Sequence, residues 1–362
     1  MIYIIGLTIT CFLILLLFLK KEKQTADYLL IGWLVILVVH IFLSYIEYTE
    51  IVYKYPHTLG LIFPLPLLHG LFLYLYVSEL TCSSILKSKI IFLHLLPFLF
   101  LIVAAIPFYG LSASQKIEIF QQQGKGYEWY TITQHILISI SGLAYSVATL
   151  LKIKKYRERL LNYFSNTEKK KLEWVEYAAI GLAVIWIVAV FFPPPVIFTV
   201  VTIFVLFIGI FGINQATVFY SDTTIEPVVV SEKTTEKLPE QEKYARTGLE
   251  NEEAEKLMTR LETLMQTEKP FTNSELALKD LAGMLDCSPN HLSQVINSMY
   301  GKTFYHYINS YRVKEFLEKT SLPENKKFTF LALAYDCGFN SKTTFNKYFK
   351  LETGKTPSEY FE

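Results

Sequence analysis

The chain has 362 residues, which is long for one ordinary domain. Hydrophobic residues make up 52% of it and the mean hydropathy is +0.31, but this average combines two unlike parts. The long apolar runs lie before residue 214, whereas the chain from 254 onward has the mixed composition of a soluble domain. The formal net charge of +1 indicates no particular class of partner.

The cysteines and the other chemically reactive residues exclude several classes of protein. The four cysteines form no CxxC pair, so neither a disulfide framework nor a zinc site is expected, and inert thiols are favoured. No nucleophile motif or metal-ligand spacing occurs elsewhere. We therefore predict a protein that is not an enzyme and that needs neither a metal nor another cofactor. The cysteines are Cys11, Cys82, Cys287 and Cys337.

Seven apolar runs, each about long enough to cross a bilayer as a helix, occupy the N-terminal part. They predict a transmembrane domain of about seven helices over 1–214. The first run lacks a basic start and a small-residue cleavage site, which favours a retained helix over a signal peptide. The runs are 2–19, 28–48, 58–80, 90–109, 132–151, 174–192 and 196–213.

The Lys and Arg residues between the runs predict the orientation. Thirteen of them follow the first, third and fifth runs, and only Lys54, Lys116 and Lys125 lie in the alternate loops. Seven crossings then place the N-terminus outside and the C-terminal domain in the cytoplasm of a bacterium, with the inner membrane as the site of a multi-pass protein and the lipid bilayer as a partner. The prolines 193–195 fit a tight exterior turn or a shallow re-entrant hairpin.

Ionisable residues inside or near the runs have two open interpretations. Such groups are costly in a membrane and often mark sites, which favours a ligand site in the bundle. The glutamates also lie near span ends, where water reaches them. Pro64 and Pro66 are expected to kink the third run and open a cavity. The loop 110–131 is too short for a sensor domain, so an unknown small-molecule or membrane signal would act on the bundle or on a partner. The ionisable residues are His40, Glu47, His69, Glu79, His94, His135 and Glu176.

The composition changes again after the last apolar run. Residues 221–250 are rich in Thr, Glu, Lys and Val and show no helical periodicity. Low hydrophobicity with mixed charge is typical of a mobile tether. We therefore predict a flexible cytoplasmic linker over 215–253.

The tripeptide Gly-Lys-Thr occurs twice near the C-terminus, and the residues before it explain the repeat. A phosphate-binding loop is excluded because Ile296 and Phe349 stand where such a loop needs its other glycine. In each copy a Ser is followed at plus four and plus eight by apolar residues and at plus thirteen by the Gly, as in a helix that Ser caps and Gly closes. The two sets are Ser288, Leu292, Ile296 and Gly301, and Ser341, Phe345, Phe349 and Gly354.

A shorter apolar stripe precedes each of these helices. Ala282 and Ala334 supply the small residue that lets the next helix pack across it, and Asp286 and Gly338 suit the turn between the helices. The pattern predicts two helix-turn-helix units, at about 276–300 and about 329–352, joined by a helix at about 303–319.

The segment "FTFLALAYDCGFNSKTTFNKYFKLETGKTPSEYF" resembles the C-terminal DNA-binding domain of AraC/XylS-type transcription regulators. The resemblance covers about 254–362. It implies a homeodomain-like, all-α domain that binds double-stranded DNA sequence-specifically as a homodimer, and it allows for RNA polymerase as a further partner. Lys347 stands where the family usually has Arg, which keeps the charge and loses bidentate geometry. The matching residues are Ala334, Gly338, Phe339, Ser341, Phe345, Phe349, Lys350, Gly354, Thr356, Pro357 and Tyr360.

The second helix of each unit is expected to enter the major groove. In the first unit Leu292, Val295, Ile296 and Met299 are expected to face inward. Two acid-free polar faces on two matching units favour DNA contact over ordinary solvated surface. The candidate base contacts are Asn290, His291, Ser293, Gln294, Asn297, Lys342, Thr343 and Asn346, and the candidate phosphate contacts are Lys347, Lys350 and Arg312, where Arg312 on the connecting helix either reaches a phosphate or covers the core.

Residues 254–362 contain fourteen Lys and Arg against thirteen Asp and Glu, so non-specific DNA affinity is expected to be modest. Two copies on neighbouring sites, tethered to one membrane, would compensate.

These patterns together predict an all-α protein, with a seven-helix transmembrane bundle followed by an all-helical domain (254–362) that contains two helix-turn-helix units. The predicted function is a membrane-anchored, sequence-specific transcription regulator that receives its signal through the bundle. The alternative is a membrane transporter or receptor whose helix-turn-helix tail is an accessory regulatory or protein-binding module.

Overall fold

The structure, a computed structural model, describes residues 1–81, 86, 88–168, 172–219 and 240–361. Within these ranges the secondary structure is helical, with one isolated bridge and no strand. The all-α fold class is therefore confirmed. The chain divides into two compact units, one formed by residues 1–155 with the chain from 172 through the last apolar helix, and one formed by the described residues 156–168 and 240–361.

The first unit contains the apolar helices. Among the described residues, five helices are long and apolar enough to cross a membrane: α1, α2, α7, α8 and α9. The bounds of all nine helices described from residue 1 to residue 219 are α1 (Ile2–Leu19), α2 (Thr25–Tyr48), α3 (Pro66–Leu80), α4 (Ile91–Ala104), α5 (Ile106–Tyr109), α6 (Ala113–Gln121), α7 (Glu128–Tyr163), α8 (Glu173–Phe191) and α9 (Pro194–Phe219).

Two of the seven predicted runs form shorter helices, so the count of seven crossings is not confirmed. In the run 58–80 the helix α3 starts only at Pro66 and has 15 residues, because a proline fits the first turn of a helix but not its interior. In the run 90–109 the helix α4 ends at Ala104 after 14 residues, and Pro107 lies in the first turn of the separate helix α5.

Small residues let the apolar helices approach closely. A Cβ at Gly6 of α1 would lie 2.9 Å from Thr202 Oγ1 of α9, and Gly209 of α9 packs against Leu13 of α1. Such contacts are typical of helices packed in lipid. Large apolar side chains cover much of the outer surface, which suits a hydrocarbon environment better than water. Examples are Phe12, Phe42, Leu93, Phe100, Ile140 and Ile203.

The second unit consists of short, tightly packed helices. The helices fall in the segments where the sequence predicts two helix-turn-helix units and their connecting helix. The predicted linker 215–253 stays a prediction, because its residues 220–239 lie outside the described residues. Helix α9 extends into the predicted linker from one side and helix α10 from the other. The helices are α10 (Glu240–Thr267), α11 (Leu278–Met284), α12 (Pro289–Tyr300), α13 (Phe304–Ser321), α14 (Phe330–Asp336), α15 (Lys342–Thr353) and α16 (Pro357–Phe361).

The predicted helix caps are confirmed in both repeats. The Ser288 hydroxyl accepts a hydrogen bond from the His291 amide at 3.2 Å, and the Ser341 hydroxyl accepts one from the Thr344 amide, also at 3.2 Å. Both helices end on a left-handed glycine, Gly301 with φ 61° and Gly354 with φ 80°. These local signals fix where α12 and α15 begin and end.

Helix α13 belongs to two hydrophobic cores at once. Phe304, Tyr307 and Ile308 pack into the first core with side chains of α10, α11 and α12. Val313 and Phe316 pack into the second core with side chains of α14 and α15. Since one rigid helix contributes to both cores, the two helix-turn-helix units cannot move independently without exposing apolar surface.

Gly338, in the turn between α14 and α15, lies very close to the backbone carbonyl of Phe271. Its φ of 95° belongs to the left-handed region that favours glycine. A Cβ there would overlap the Phe271 carbonyl oxygen and lie 2.9 Å from Arg312 Nε. The turn therefore needs glycine both for its conformation and for space.

We expect Gly338→Ala to destabilise the second unit by about 3 kcal/mol, from left-handed strain plus overpacking. Gly354→Ala is the control, because its φ is 80° and a Cβ there meets nothing within 4 Å. It should cost only about 1 kcal/mol. Hydrogen exchange of amides in α14 and α15 of the full-length protein measures both losses. Equal losses would show that the Phe271 carbonyl yields to the new methyl group.

Candidate nucleic-acid interface

Helix α12 presents most of its predicted polar face to solvent. Asn290, Gln294 and Asn297 are exposed, and His291 and Ser293 are partly exposed. The opposite face is buried, with Leu292, Val295 and Ile296 in the first core. The exposed amides have the donor and acceptor groups that pair with adenine edges.

The prediction for Met299 is wrong, because its side chain is 40% exposed. Tyr300 occupies the inward position at this end of α12. Its ring lies 4.8 Å from that of Tyr307, and its hydroxyl donates to Glu262 Oε1 at 2.7 Å. Burial raises the pKa of Tyr300, and the hydrogen bond to Glu262 raises it further, so the phenol stays protonated and keeps this contact.

Helix α15 presents a basic face. Lys342, Thr343, Lys347 and Lys350 are exposed, and Asn346 is partly exposed. Phe345, Tyr348 and Phe349 are buried in the second core. We call α12 and α15 the reading helices, since each is the second helix of its unit.

A carboxylate from a distant part of the chain lies at the N-terminus of α15. Glu168 Oε1 accepts a hydrogen bond from the Ser341 hydroxyl and one from Thr344 Oγ1, the latter at 2.7 Å. The N-terminus of a helix attracts anions, and DNA phosphates use such positions. The carboxylate therefore occupies a place that suits a phosphate. No sequence signal pointed to it, because Glu168 is 173 residues from Ser341 along the chain.

Glu168 belongs to a longer stretch of the second unit, residues 156–168, which packs against the helix-turn-helix units and which we call the docking segment. Ser165 pairs with Leu276 through its amide at 3.2 Å and its hydroxyl at 2.6 Å. Leu161 packs against the second core and Tyr163 against the first. The docking segment thus contacts both helix-turn-helix units.

Glu275 joins the docking segment to the turn before α15. Its Oε1 accepts a hydrogen bond from Asn166 Nδ2 at 2.8 Å and one from Asn340 Nδ2 at 2.9 Å. Asn340 directly precedes the cap Ser341. The docking segment therefore holds the start of α15 both through Glu275 and through Glu168.

Arg312 lies inside the second unit and does not offer its guanidinium to a phosphate. Its side chain is 2% exposed. Nε donates to the Phe271 carbonyl and Nη2 to the Asn273 carbonyl, both at 2.8 Å. Nη1 and Nη2 reach the carbonyl and the hydroxyl of Ser165, at 3.2 and 3.1 Å. The predicted phosphate contact of Arg312 is therefore wrong. The alternative prediction, that Arg312 covers the core, agrees with the structure.

The pKa of Arg312 reflects this environment. Burial lowers it to about 10, and nearby groups, Tyr305 first, raise it in part. The guanidinium nevertheless stays charged near neutral pH, because that pKa is about three units above it. A buried cation that pairs with carbonyls and a hydroxyl depends on every one of those acceptors.

Comparison with protein families identifies the C-terminal region. Residues 281–362 match the family described as a helix-turn-helix domain, which is of the AraC type. The match begins in α11 and includes both reading helices. Neither the curated proteins nor the solved structures gave a match to the chain. The match supports a DNA-binding regulatory role for residues 281–362, and the matched family is not an enzymatic one.

We expect Asn290→Ala and Gln294→Ala to change the preferred base at one position each, by about 1–3 kcal/mol of discrimination. Lys350→Ala should weaken binding to all sequences alike and reduce the salt slope by about 1. Selection of random duplexes and salt titration, both with the full-length protein in nanodiscs, measure these effects.

Lys256→Ala is the matched control, because this exposed lysine of α10 pairs with Glu252 and lies outside both reading helices. It should leave base preference and salt slope unchanged. If neither α12 variant alters base preference, α12 is not a reading helix.

Proposed function

We propose that the protein is a membrane-anchored, sequence-specific transcription regulator that receives its signal through the apolar bundle. The family match supports DNA binding, and the five long apolar helices support membrane association. The observation that carries the proposal is the docking segment, because it contains the last residues of the apolar helix α7 and yet packs against the helix-turn-helix units.

The docking segment would connect the apolar bundle directly to the start of the reading helix α15. Helix α7 is one helix of 36 residues, and its last residues, from Tyr156, belong to the second unit. A displacement of α7 would therefore act on Glu168 and Ser165 only a few residues further along the chain. A linker alone would transmit no such movement.

We propose that the docked state inhibits DNA binding. Glu168 places a negative charge at the N-terminus of α15, where a phosphate would otherwise lie. Two like charges 4 Å apart repel by about 1 kcal/mol in water and about 4 kcal/mol near a protein surface. Release of the docking segment would expose the Ser341 and Thr344 hydroxyls to DNA.

The proposal includes two copies of the chain on neighbouring half-sites. The second unit has nearly balanced charge, so a single copy gains little from the phosphate backbone. Two copies held in one membrane have a high effective concentration for adjacent sites. RNA polymerase is a further proposed partner of the DNA-bound dimer.

We expect Glu168→Gln to raise DNA affinity about tenfold in the absence of any signal, since it removes the charge and keeps the side-chain size. Glu324→Gln is the matched control, because it removes one exposed carboxylate of the same unit outside the reading helices. Fluorescence anisotropy with a selected duplex and the full-length protein in nanodiscs measures both. Equal affinities for the two variants would contradict inhibition by Glu168.

We also expect the N-terminus outside and the second unit in the cytoplasm. Protease added to inside-out vesicles should therefore degrade α10 to α16, whereas protease added to intact spheroplasts should leave them whole. Degradation in spheroplasts would contradict the proposed function, since DNA lies in the cytoplasm.

A further inference from the structure

A large cavity lies in the first unit, among residues of α2, α3, α7, α8 and α9. Its volume is about 800 Å³, which falls in the range of small-molecule sites. Its walls are mainly apolar and strongly aromatic. The aromatic lining includes Trp33, Tyr48, Tyr53, Trp186, Phe198 and Phe204.

A second cavity, of about 230 Å³, shares two lining residues with the first, Glu47 and Phe120. It is also aromatic, with Phe63, Tyr127 and Tyr130 in its walls. Glu47 therefore lines both cavities.

The cavity linings carry negative but no formal positive charge. Glu47 and Glu50 are their acidic residues, and neither lining contains Lys or Arg. Across the part of the chain that the structure describes, the Glu47 carboxylate makes neither a hydrogen bond nor an ion pair. A half-buried carboxylate without a partner is costly, and a cationic group beside it would offset that cost.

Two of the three histidines of the larger cavity, His40 and His69, do not supply a positive charge either. Trp33 Nε1 donates to His69 Nδ1 at 3.2 Å, and His69 Nε2 lies 2.8 Å from His40 Nδ1. An indole N–H only donates, so a neutral His69 carries its proton on Nε2 and donates that N–H in a hydrogen bond to His40 Nδ1. A proton added to His40 Nδ1 would face that donor and break the chain. The two rings therefore stay neutral while these hydrogen bonds persist.

From this combination we propose that the cavity binds a lipophilic amine, with the protonated nitrogen beside Glu47 and an apolar, preferably aromatic, body among the aromatic walls. Aromatic faces attract a cation, and the carboxylate supplies its counter-charge. An amphiphilic acid would instead place a second negative charge next to Glu47. The inference rests on the proposed function in one respect, since it names the chemistry of the signal.

The position of the cavity indicates the side of entry. Its lining includes Ser44, Glu47 and Tyr48 at the end of α2 and Pro194 and Ile197 at the start of α9. The distribution of Lys and Arg predicts that these ends face outside. The amine would therefore enter from the exterior or from the outer leaflet.

Binding is tested with three probes that share one body: 6-phenylhexylamine, 6-phenylhexan-1-ol and 6-phenylhexanoic acid. The full-length protein is held in nanodiscs, and empty nanodiscs correct for partition into lipid. Trp33 and Trp186, two of the four tryptophans, line the cavity, so tryptophan fluorescence reports occupancy. The amine should bind at least about tenfold more tightly than the alcohol, and the acid more weakly than the alcohol. Equal affinities, or tighter binding of the acid, would overturn the proposal.

Glu47→Gln should abolish the preference for the amine and leave alcohol binding unchanged, which also shows that the cavity is intact. Glu79→Gln is the matched control, because this glutamate of α3 lines neither cavity. It should keep the preference. An amine preference that persists in Glu47→Gln would overturn the assignment of the carboxylate.

A DNA-binding measurement separates this proposal from the proposed function. If the amine binds as expected and changes the affinity for a selected duplex, both stand. If the amine binds and DNA affinity does not change, the site stands and the proposed route of signalling fails. If no amine preference is found while Glu168→Gln raises DNA affinity, the site fails and the regulation by the docking segment stands.

Discussion

The arrangement of the DNA-binding unit depends on the buried guanidinium of Arg312. It joins the connecting helix α13 to the Phe271 and Asn273 carbonyls and to Ser165 of the docking segment. Each hydrogen bond to a charged group is worth about 1.5–3 kcal/mol, and a donor left unsatisfied in the interior costs a similar amount. Undocking therefore has to bring water to the two donors that Ser165 now satisfies. This cost stabilises the docked arrangement that the structure shows.

The charge of the DNA-binding unit is almost balanced. Fourteen basic against thirteen acidic residues in 254–362 leave the domain almost neutral, so its DNA affinity depends on where the charges lie. Lys342, Lys347 and Lys350 are concentrated on one face of α15, and Glu168 lies at the start of that helix. In such a balanced domain one added or removed carboxylate at the reading surface is a large fraction of the available electrostatic free energy.

Local signals predicted the reading helices, because caps, apolar spacing and closing glycines act within one helix. Ser288 with Gly301, and Ser341 with Gly354, specify both ends of a helix with no help from distant residues. The docking of Glu168 could not be predicted, because it depends on a tertiary contact across 173 residues. His40 and Glu47 are seven residues apart in the sequence, so they share a helix face, and both line the large cavity. That the cavity lining contains neither Lys nor Arg follows only from the packing of several helices.

Helix α7 connects the two proposed sites. Gln134, His135, Ile138 and Ser139, near its start, line the large cavity, and its last residues belong to the docking segment. A helix is stiff, so a shift of 1–2 Å at one end, which is common in switching proteins, reaches the other end with little loss. The Thr344–Glu168 hydrogen bond is 2.7 Å long, and a shift of that size is enough to break it. Couplings between ligand sites are typically 1–3 kcal/mol, the scale of one or two such hydrogen bonds. In the proposed function, a ligand that fits the cavity better when α7 is displaced would therefore weaken the docking of Glu168.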